Sequence, residues 1–148
     1  MSTPAPSTRM TGIGRVLVIV YAVMALAATG RSFVQIVRQF DDAPLAYALS
    51  ALAAVVYVLA TLALIFARRP GWYTVAWVAI VFELTGVLVV GALSIFLPDL
   101  FPHDTVWSMF GRGYVFIPLV LPVFGIWWLR THRPAPVATE PASTGAIA

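Results

Sequence analysis

Residues 45–67 read LAYALSALAAVVYVLATLALIFA, a run of 23 residues without a charged side chain. A helix that crosses a bilayer needs about 20 mostly apolar residues, so this run is long enough to cross once. On a helical projection its small and polar residues share one side, which predicts a stripe that faces protein while the opposite side faces lipid. The polar stripe contains Tyr47, Ser50, Ala54, Tyr57 and Thr61, and the opposite side contains Leu52, Val56 and Leu59.

Three further apolar runs flank this one, and the whole chain has the composition of a membrane protein. It is 61% hydrophobic and 10% charged over 148 residues, far too apolar for a water-soluble domain of this size. We predict an all-α, polytopic four-helix transmembrane bundle over residues 13–131, which leaves no room for a soluble catalytic domain. The four spans are predicted near residues 15–37, 45–67, 72–97 and 106–129. The tails, residues 1–12 and 132–148, are predicted to be disordered because they contain Pro, Ser and Thr with little to bury.

The first span has a second interpretation. Arg9 and Arg15, followed by a short apolar core and the small residues Ala25-Leu26-Ala27, also fit a cleaved signal peptide, which would leave three spans. Apolar residues continue beyond this point as far as Val37, which favours a full-length span.

The start of the fourth span is also open. It begins either near Val106 or after Gly113, and in the second case a separate short helix precedes it. Pro118 and Pro122 each lack a backbone donor, so a kink or local unwinding is expected in this segment.

The distribution of arginine predicts the orientation of the bundle. All nine basic residues are arginine, and with the N-terminus in the cytoplasm six of them lie on that side. The other side then has three arginines and four aspartates in its loops and helix ends. The positive-inside rule therefore predicts a multi-pass protein of the inner (plasma) membrane with both termini in the cytoplasm.

Glu83, within VFELTGVLVVG at residues 81–91, is a carboxylic acid in an otherwise apolar span. It lies about 11 residues from Trp72 and about 13 from Phe96, so about 16 to 20 Å separate it from either end of its helix. A charged side chain at this depth costs at least about 2.5 kcal/mol and is expected to be protonated, paired or in contact with water. Small residues on the same helix face predict that Glu83 points into the bundle.

Depth along the helices predicts which groups meet Glu83. Arg31 and Arg112 are both expected to approach it from the outer side, and either would keep the carboxylate ionised, whereas an unpaired Glu83 would be neutral. The predicted intramembrane polar cluster contains Glu83, Arg31, Arg112, Gln35, Tyr57 and Tyr114. Three roles are open for this cluster: fixing the packing of the bundle, binding a proton or substrate, or contacting a partner subunit or lipid.

No residues form a recognisable catalytic or metal-binding pattern. The chain has no cysteine, which excludes disulfides, thiol chemistry and cysteine-ligated metals. His103 and His132 are predicted on opposite sides of the membrane, and Ser108 has no intramembrane base. We therefore predict neither enzymatic activity nor a cofactor, and no nucleic-acid partner, because no basic cluster is interleaved with exposed aromatic residues.

Three stretches carry a resemblance to known proteins: AATGRSFVQI, FELTGVLVVGALS and FGRGYVFIPLVLPVFGIWWL. With these, the chain resembles a group of small four-span bacterial integral membrane proteins that have no assigned function. The resemblance implies four spans and supplies no activity. Small multidrug-resistance exporters also have four helices and one membrane glutamate, but their glutamate is in the first span, whereas Glu83 is in the third.

Three functional classes remain, of which an integral-membrane enzyme acting on lipid or quinone is disfavoured by the missing carboxylate pairs, cysteines and membrane histidines. We expect a non-enzymatic accessory or scaffold subunit in which the Glu83 cluster fixes the bundle. The alternative is a small homo-oligomeric, proton-coupled transporter or channel that uses Glu83. The expected partners are the lipid bilayer and either further copies of the chain or another membrane protein.

Overall fold

A computed structural model of the protein describes residues 12–136, and over these residues the chain is helical with no strand. The four α-helices are α1 (Gly12–Gln39), α2 (Pro44–Ile65), α3 (Pro70–Phe96) and α4 (Ile117–Thr131). Three short 3₁₀ helices connect them, at Phe40–Asp42, Pro98–Leu100 and Ser108–Tyr114. The predicted disordered tails lie outside the described residues, apart from Gly12 and residues 132–136.

Helices α1, α2 and α3 are each long and apolar enough to cross a membrane. A fourth crossing exists if α4 and the short helix Ser108–Tyr114, which are bent by 98° to each other, count as one broken span. The outward faces carry large apolar side chains, among them Leu26, Val55 and Val78, which are 76%, 63% and 63% exposed. The prediction of an all-helical fold is thus confirmed, with three to four helices that fit a membrane.

Prolines mark where the second and third helices begin. Pro44 and Pro70 lie in the first turns of α2 and α3, where their missing N–H has no partner to lose. Between these helices the Arg69 N–H donates to the Phe66 carbonyl at 2.9 Å and closes a tight turn. We call this end of the bundle the turn end. The opposite end, which carries residues 97–116, is the loop end.

The buried stripe of α2 matches its prediction at most positions. Tyr47, Ser50, Ala54 and Tyr57 are buried, and Leu52 and Leu59 are exposed. Val56, predicted to face lipid, is buried as well. The reason is that α2 packs against both α1 and α3, so its protein-facing side is wider than one stripe.

The fourth apolar run is not one helix over residues 106–129. A separate short helix precedes α4, as in the second of the two predicted arrangements. The chain breaks at Val115 and Phe116, whose φ angles of 54° and 59° are left-handed, and Pro118 then lies in the first turn of α4. With 15 residues, α4 is about 22 Å long, shorter than the hydrocarbon core of a bilayer.

Candidate functional site

Glu83 lies in the middle of α3 with none of its surface exposed. Thirteen residues separate it from each end of the helix, which corresponds to about 20 Å in either direction. It shares the inward face of α3 with Ala76, Ala79 and Ser94, all buried. The predicted inward orientation of Glu83 is therefore confirmed.

The partner of Glu83 is Tyr21 of α1. The Tyr21 hydroxyl donates a hydrogen bond of 2.7 Å to Glu83 Oε2, and both residues are fully buried. Glu83 Oε1 is also buried and has no hydrogen-bond partner among residues 12–136. Among the described residues, the carboxyl group is thus enclosed with one hydroxyl group and no cation beside it.

The prediction that Arg31 or Arg112 pairs with Glu83 is wrong. Arg31 Nη2 donates instead to the backbone carbonyl of Asp104 at 2.7 Å, and Arg112 is exposed with Nη1 3.7 Å from the sulfur of Met109. The reason lies in helix geometry. Arg31 follows Tyr21 by ten residues, which places it about 15 Å further along α1 and roughly a quarter-turn away from the face that meets Glu83.

The other predicted members of the cluster do not lie together. Tyr57 is fully buried beside Tyr21, with the ring centroids 6.3 Å apart. Gln35 is half-buried near the loop end, and its Oε1 has no hydrogen-bond partner among the described residues. Tyr114 is half-buried against the apolar core. Of the predicted cluster, only Tyr57 therefore joins the buried site around Glu83.

Trp107, between α3 and α4, enters the bundle from the loop end. Its side chain is 2% exposed, and its Nε1–H donates to the Tyr57 hydroxyl at 3.2 Å. The indole lies against Gly86 so closely that a Cβ added there would be 2.6 Å from the ring. Gly86 is three residues, almost one helical turn, from Glu83. We call residues 105–116 the inserted segment, because they place an indole within the helical bundle.

Polar contacts and a second close approach hold the inserted segment on α3. The backbone N–H of Met109 donates to Ser94 Oγ at 2.7 Å, and that hydroxyl donates to the Gly91 carbonyl at 2.8 Å. The ring of Phe110 lies against Gly91, where an added Cβ would be 2.6 Å from a ring carbon. Small residues on α3 thus allow the segment to approach the helix backbone.

The backbone of the inserted segment is left-handed at five positions. Met109, Phe110, Val115 and Phe116 have φ angles between 48° and 60°, and Gly111 has a φ of 80°. For residues with a Cβ this conformation costs roughly 1 to 2 kcal/mol each, and such strain is concentrated at functional sites in many proteins.

Helix α4 closes the remaining side of the site. A Cβ added at Gly125 would lie 2.9 Å from the Ile80 side chain and 3.5 Å from the Tyr21 hydroxyl, so the backbone of α4 is close to both. Near the turn end, the Tyr73 hydroxyl donates to the carbonyl of Leu129 at 2.7 Å and joins α3 to α4. Glu83 and Tyr21 are therefore enclosed by all four helices and the inserted segment.

Sequence reasoning missed Tyr21 and Trp107. Tyr21 follows Leu17 and precedes Ala28 on a buried stripe of α1 with helical spacing, so its inward orientation was available from the sequence. Trp107 belongs to a short non-periodic stretch that carries no such pattern. The only available signal was Gly86, because a glycine inside a predicted helix often marks a close approach by another group.

Comparisons of the chain with protein-family models, curated proteins and solved structures found no match. The resemblance to small four-span bacterial membrane proteins therefore stays a prediction. Among the described residues no group of three potential metal ligands is present. The chemistry that the site can perform is that of one enclosed carboxylic acid: to bind a proton, to release it, and to exchange hydrogen bonds with Tyr21.

Proposed function

We propose that the protein is a multi-pass plasma-membrane protein with both termini in the cytoplasm, and that it is a small, non-enzymatic, proton-coupled transporter in which Glu83 binds the proton. The observation that carries this proposal is the enclosure of Glu83 with no cation beside it within residues 12–136. An arginine pair would have explained the carboxylate as a fixed structural group. Because Glu83 has no such arginine partner among the described residues, a proton-binding role for Glu83 is better supported.

The proposed mechanism follows from the cost of a buried charge. In the enclosed state Glu83 is neutral, because a single hydrogen bond from Tyr21 does not compensate for an ionised carboxylate in the middle of a membrane. Release of the proton requires water to reach the carboxyl group, because water must accept the proton and solvate the carboxylate that remains, hence an open state of the bundle. Protonation and opening are therefore coupled, since each state of Glu83 favours a different arrangement of the helices.

Proton flux into liposomes tests the proposal. Vesicles containing the protein, a trapped pH-sensitive dye and an imposed pH gradient are compared for the native chain, Glu83→Gln and the control Asp99→Asn. Asp99 lies in an exposed loop, so its amide variant makes the same chemical change outside the site. We expect the native chain and Asp99→Asn to carry protons and Glu83→Gln to lose at least nine-tenths of this flux. Equal rates for all three would refute proton transport through Glu83.

An accessory or scaffold subunit is the second candidate, and the tightness of the bundle favours it. Trp107 against Gly86 and Phe110 against Gly91 leave no space for an added methyl group, as expected for a rigid interior. In that case Glu83 would only hydrogen-bond α3 to α1. A folded Glu83→Gln variant without change in flux, together with a stoichiometric membrane-protein partner on purification, would support this second function. Self-association or contact with lipid fits either candidate.

A further inference from the structure

We infer that the inserted segment, residues 105–116, is a movable gate that closes the route from the loop end to Glu83. The inference rests on the proposed proton-binding role of Glu83 and adds how that site is reached. Trp107 is the part of the gate that enters the bundle, and withdrawal of its indole exposes the Tyr57 hydroxyl.

The proposed route passes the side chain of Trp107, which is 2% exposed and follows the exposed loop residues His103 and Asp104 in the chain. Beyond that indole lie the hydroxyl of Tyr57 and, beside it, Tyr21 with its hydrogen bond to Glu83. Water that replaces the indole would therefore reach Tyr57, which lies beside Tyr21, the residue that hydrogen-bonds Glu83.

Backbone strain favours movement of the segment. Four of its residues with side chains have left-handed φ angles, and this conformation is relaxed when the segment leaves its position. Two of the four gain little from packing in return, since Val115 is 82% exposed and Phe116 is 46% exposed. The closed state thus stores unfavourable backbone energy at positions that contribute little to the core.

Among the described residues, two hydrogen bonds to side chains of α2 and α3 hold the gate. The Trp107 bond to Tyr57 is long at 3.2 Å, and the Met109 N–H is held by Ser94 alone. Ser94 keeps its own bond to the Gly91 carbonyl after the segment leaves, so no donor on α3 is left unpaired by opening. Movement therefore breaks fewer hydrogen bonds than it would for a segment built into a continuous backbone ladder, and its main cost is the exposure of the buried Trp107 side chain.

A single cysteine introduced into this cysteine-free chain can report opening. Val90 is 5% exposed and lies on α3 between Gly86, which contacts Trp107, and Ser94, which contacts Met109. The full chain with Val90→Cys is reconstituted in liposomes and treated with a membrane-impermeant maleimide. The labelling rate then measures how often the inserted segment uncovers this face of α3.

Three variants in the Val90→Cys background separate a gate from a fixed loop. Val115→Gly relieves strain at an exposed position and should slow labelling about fourfold, because glycine adopts the left-handed conformation at little cost. Trp107→Phe loses the bond to Tyr57 and part of the ring volume and should speed labelling about tenfold. Val123→Gly, the same valine to glycine change at a 54% exposed position of α4, is the control and should not slow labelling.

Slower labelling in Val115→Gly together with faster labelling in Trp107→Phe supports the gate. Equal labelling of these two and the parent chain, or faster labelling in Val115→Gly, overturns it. The outcome is independent of proton flux. A gate that responds as expected in a protein without Glu83-dependent flux would leave the gate intact and refute the transport function, whereas Glu83-dependent flux with invariant labelling would refute the gate alone.

Discussion

At the scale of single residues, the partner of Glu83 decides what the carboxyl group does. The sequence predicts its depth and its inward direction, because both follow from helix length and from small residues on one face. It does not predict Tyr21 as the partner. Depth alone predicts Arg31 and Arg112 as partners, but the backbone carbonyl of the loop residue Asp104 accepts from Arg31 instead, and no periodic pattern indicates where a loop carbonyl lies.

If Glu83 and Tyr21 form a neutral hydrogen-bonded pair, substitutions of the two residues should differ in how strongly they destabilise the protein. Glu83→Gln keeps an uncharged oxygen that accepts from Tyr21, so the free energy of unfolding should change by about 1 kcal/mol or less. Tyr21→Phe leaves the buried carboxyl group without its donor and should cost about 1 to 3 kcal/mol. Thermal or denaturant unfolding in detergent of both single variants and the double variant measures the coupling between them.

Arg31→Gln serves as the control in that series, since its effect should add to that of Glu83→Gln. If Glu83→Gln lowers the free energy of unfolding by several kcal/mol and Arg31→Gln in the same molecule restores it, the neutral pair is contradicted. Glu83 and Arg31 would then form an ion pair.

At the scale of elements, glycines determine how closely the inserted segment approaches α3. Helices α1 to α3 could be predicted because each is a long apolar run with proline or polar residues at its ends. The conformation of the inserted segment could not be predicted, because its left-handed residues have no sequence signature other than Gly111. The prolines predict a kink within the fourth apolar run, but the chain breaks ahead of them, at Val115 and Phe116.

Two glycine to alanine changes should have effects of opposite sign. Gly86→Ala places a methyl group 2.6 Å from the rigid indole of Trp107 and should destabilise the protein by about 1 to 3 kcal/mol. Gly30→Ala on α1 meets no atom within 4 Å and should stabilise it by about 0.5 to 1 kcal/mol, because alanine favours the helix. Unfolding in detergent measures both. Two equal effects would mean that Trp107 does not lie against Gly86.

At the scale of the whole molecule, the helices fit a membrane, and their orientation rests on the distribution of arginine. Arg68 and Arg69 lie at the turn end, while Asp41, Asp42 and Asp99 lie at the loop end. The positive-inside rule predicts that the inserted segment lies on the outer side, where a gate would face the higher proton concentration of an energised cell.

Reporter fusions test this orientation directly. Fusions after Arg69 and at the C-terminus should be active in the cytoplasm, and a fusion after His103 should be active in the periplasm. The C-terminal fusion also reports the number of spans. A periplasmic C-terminus would mean that α4 and the inserted segment form a re-entrant loop and do not cross the membrane.

Infrared spectroscopy of the reconstituted protein tests the central claim, that Glu83 is an enclosed neutral acid that exchanges a proton. The native chain at neutral pH should show the carbonyl band of a protonated carboxylic acid, which disappears in Glu83→Gln, persists in Asp99→Asn and shifts in Tyr21→Phe because its hydrogen bond is lost. A spectrum without that band, in which Glu83→Gln removes only the absorption of an ionised carboxylate, would contradict the account.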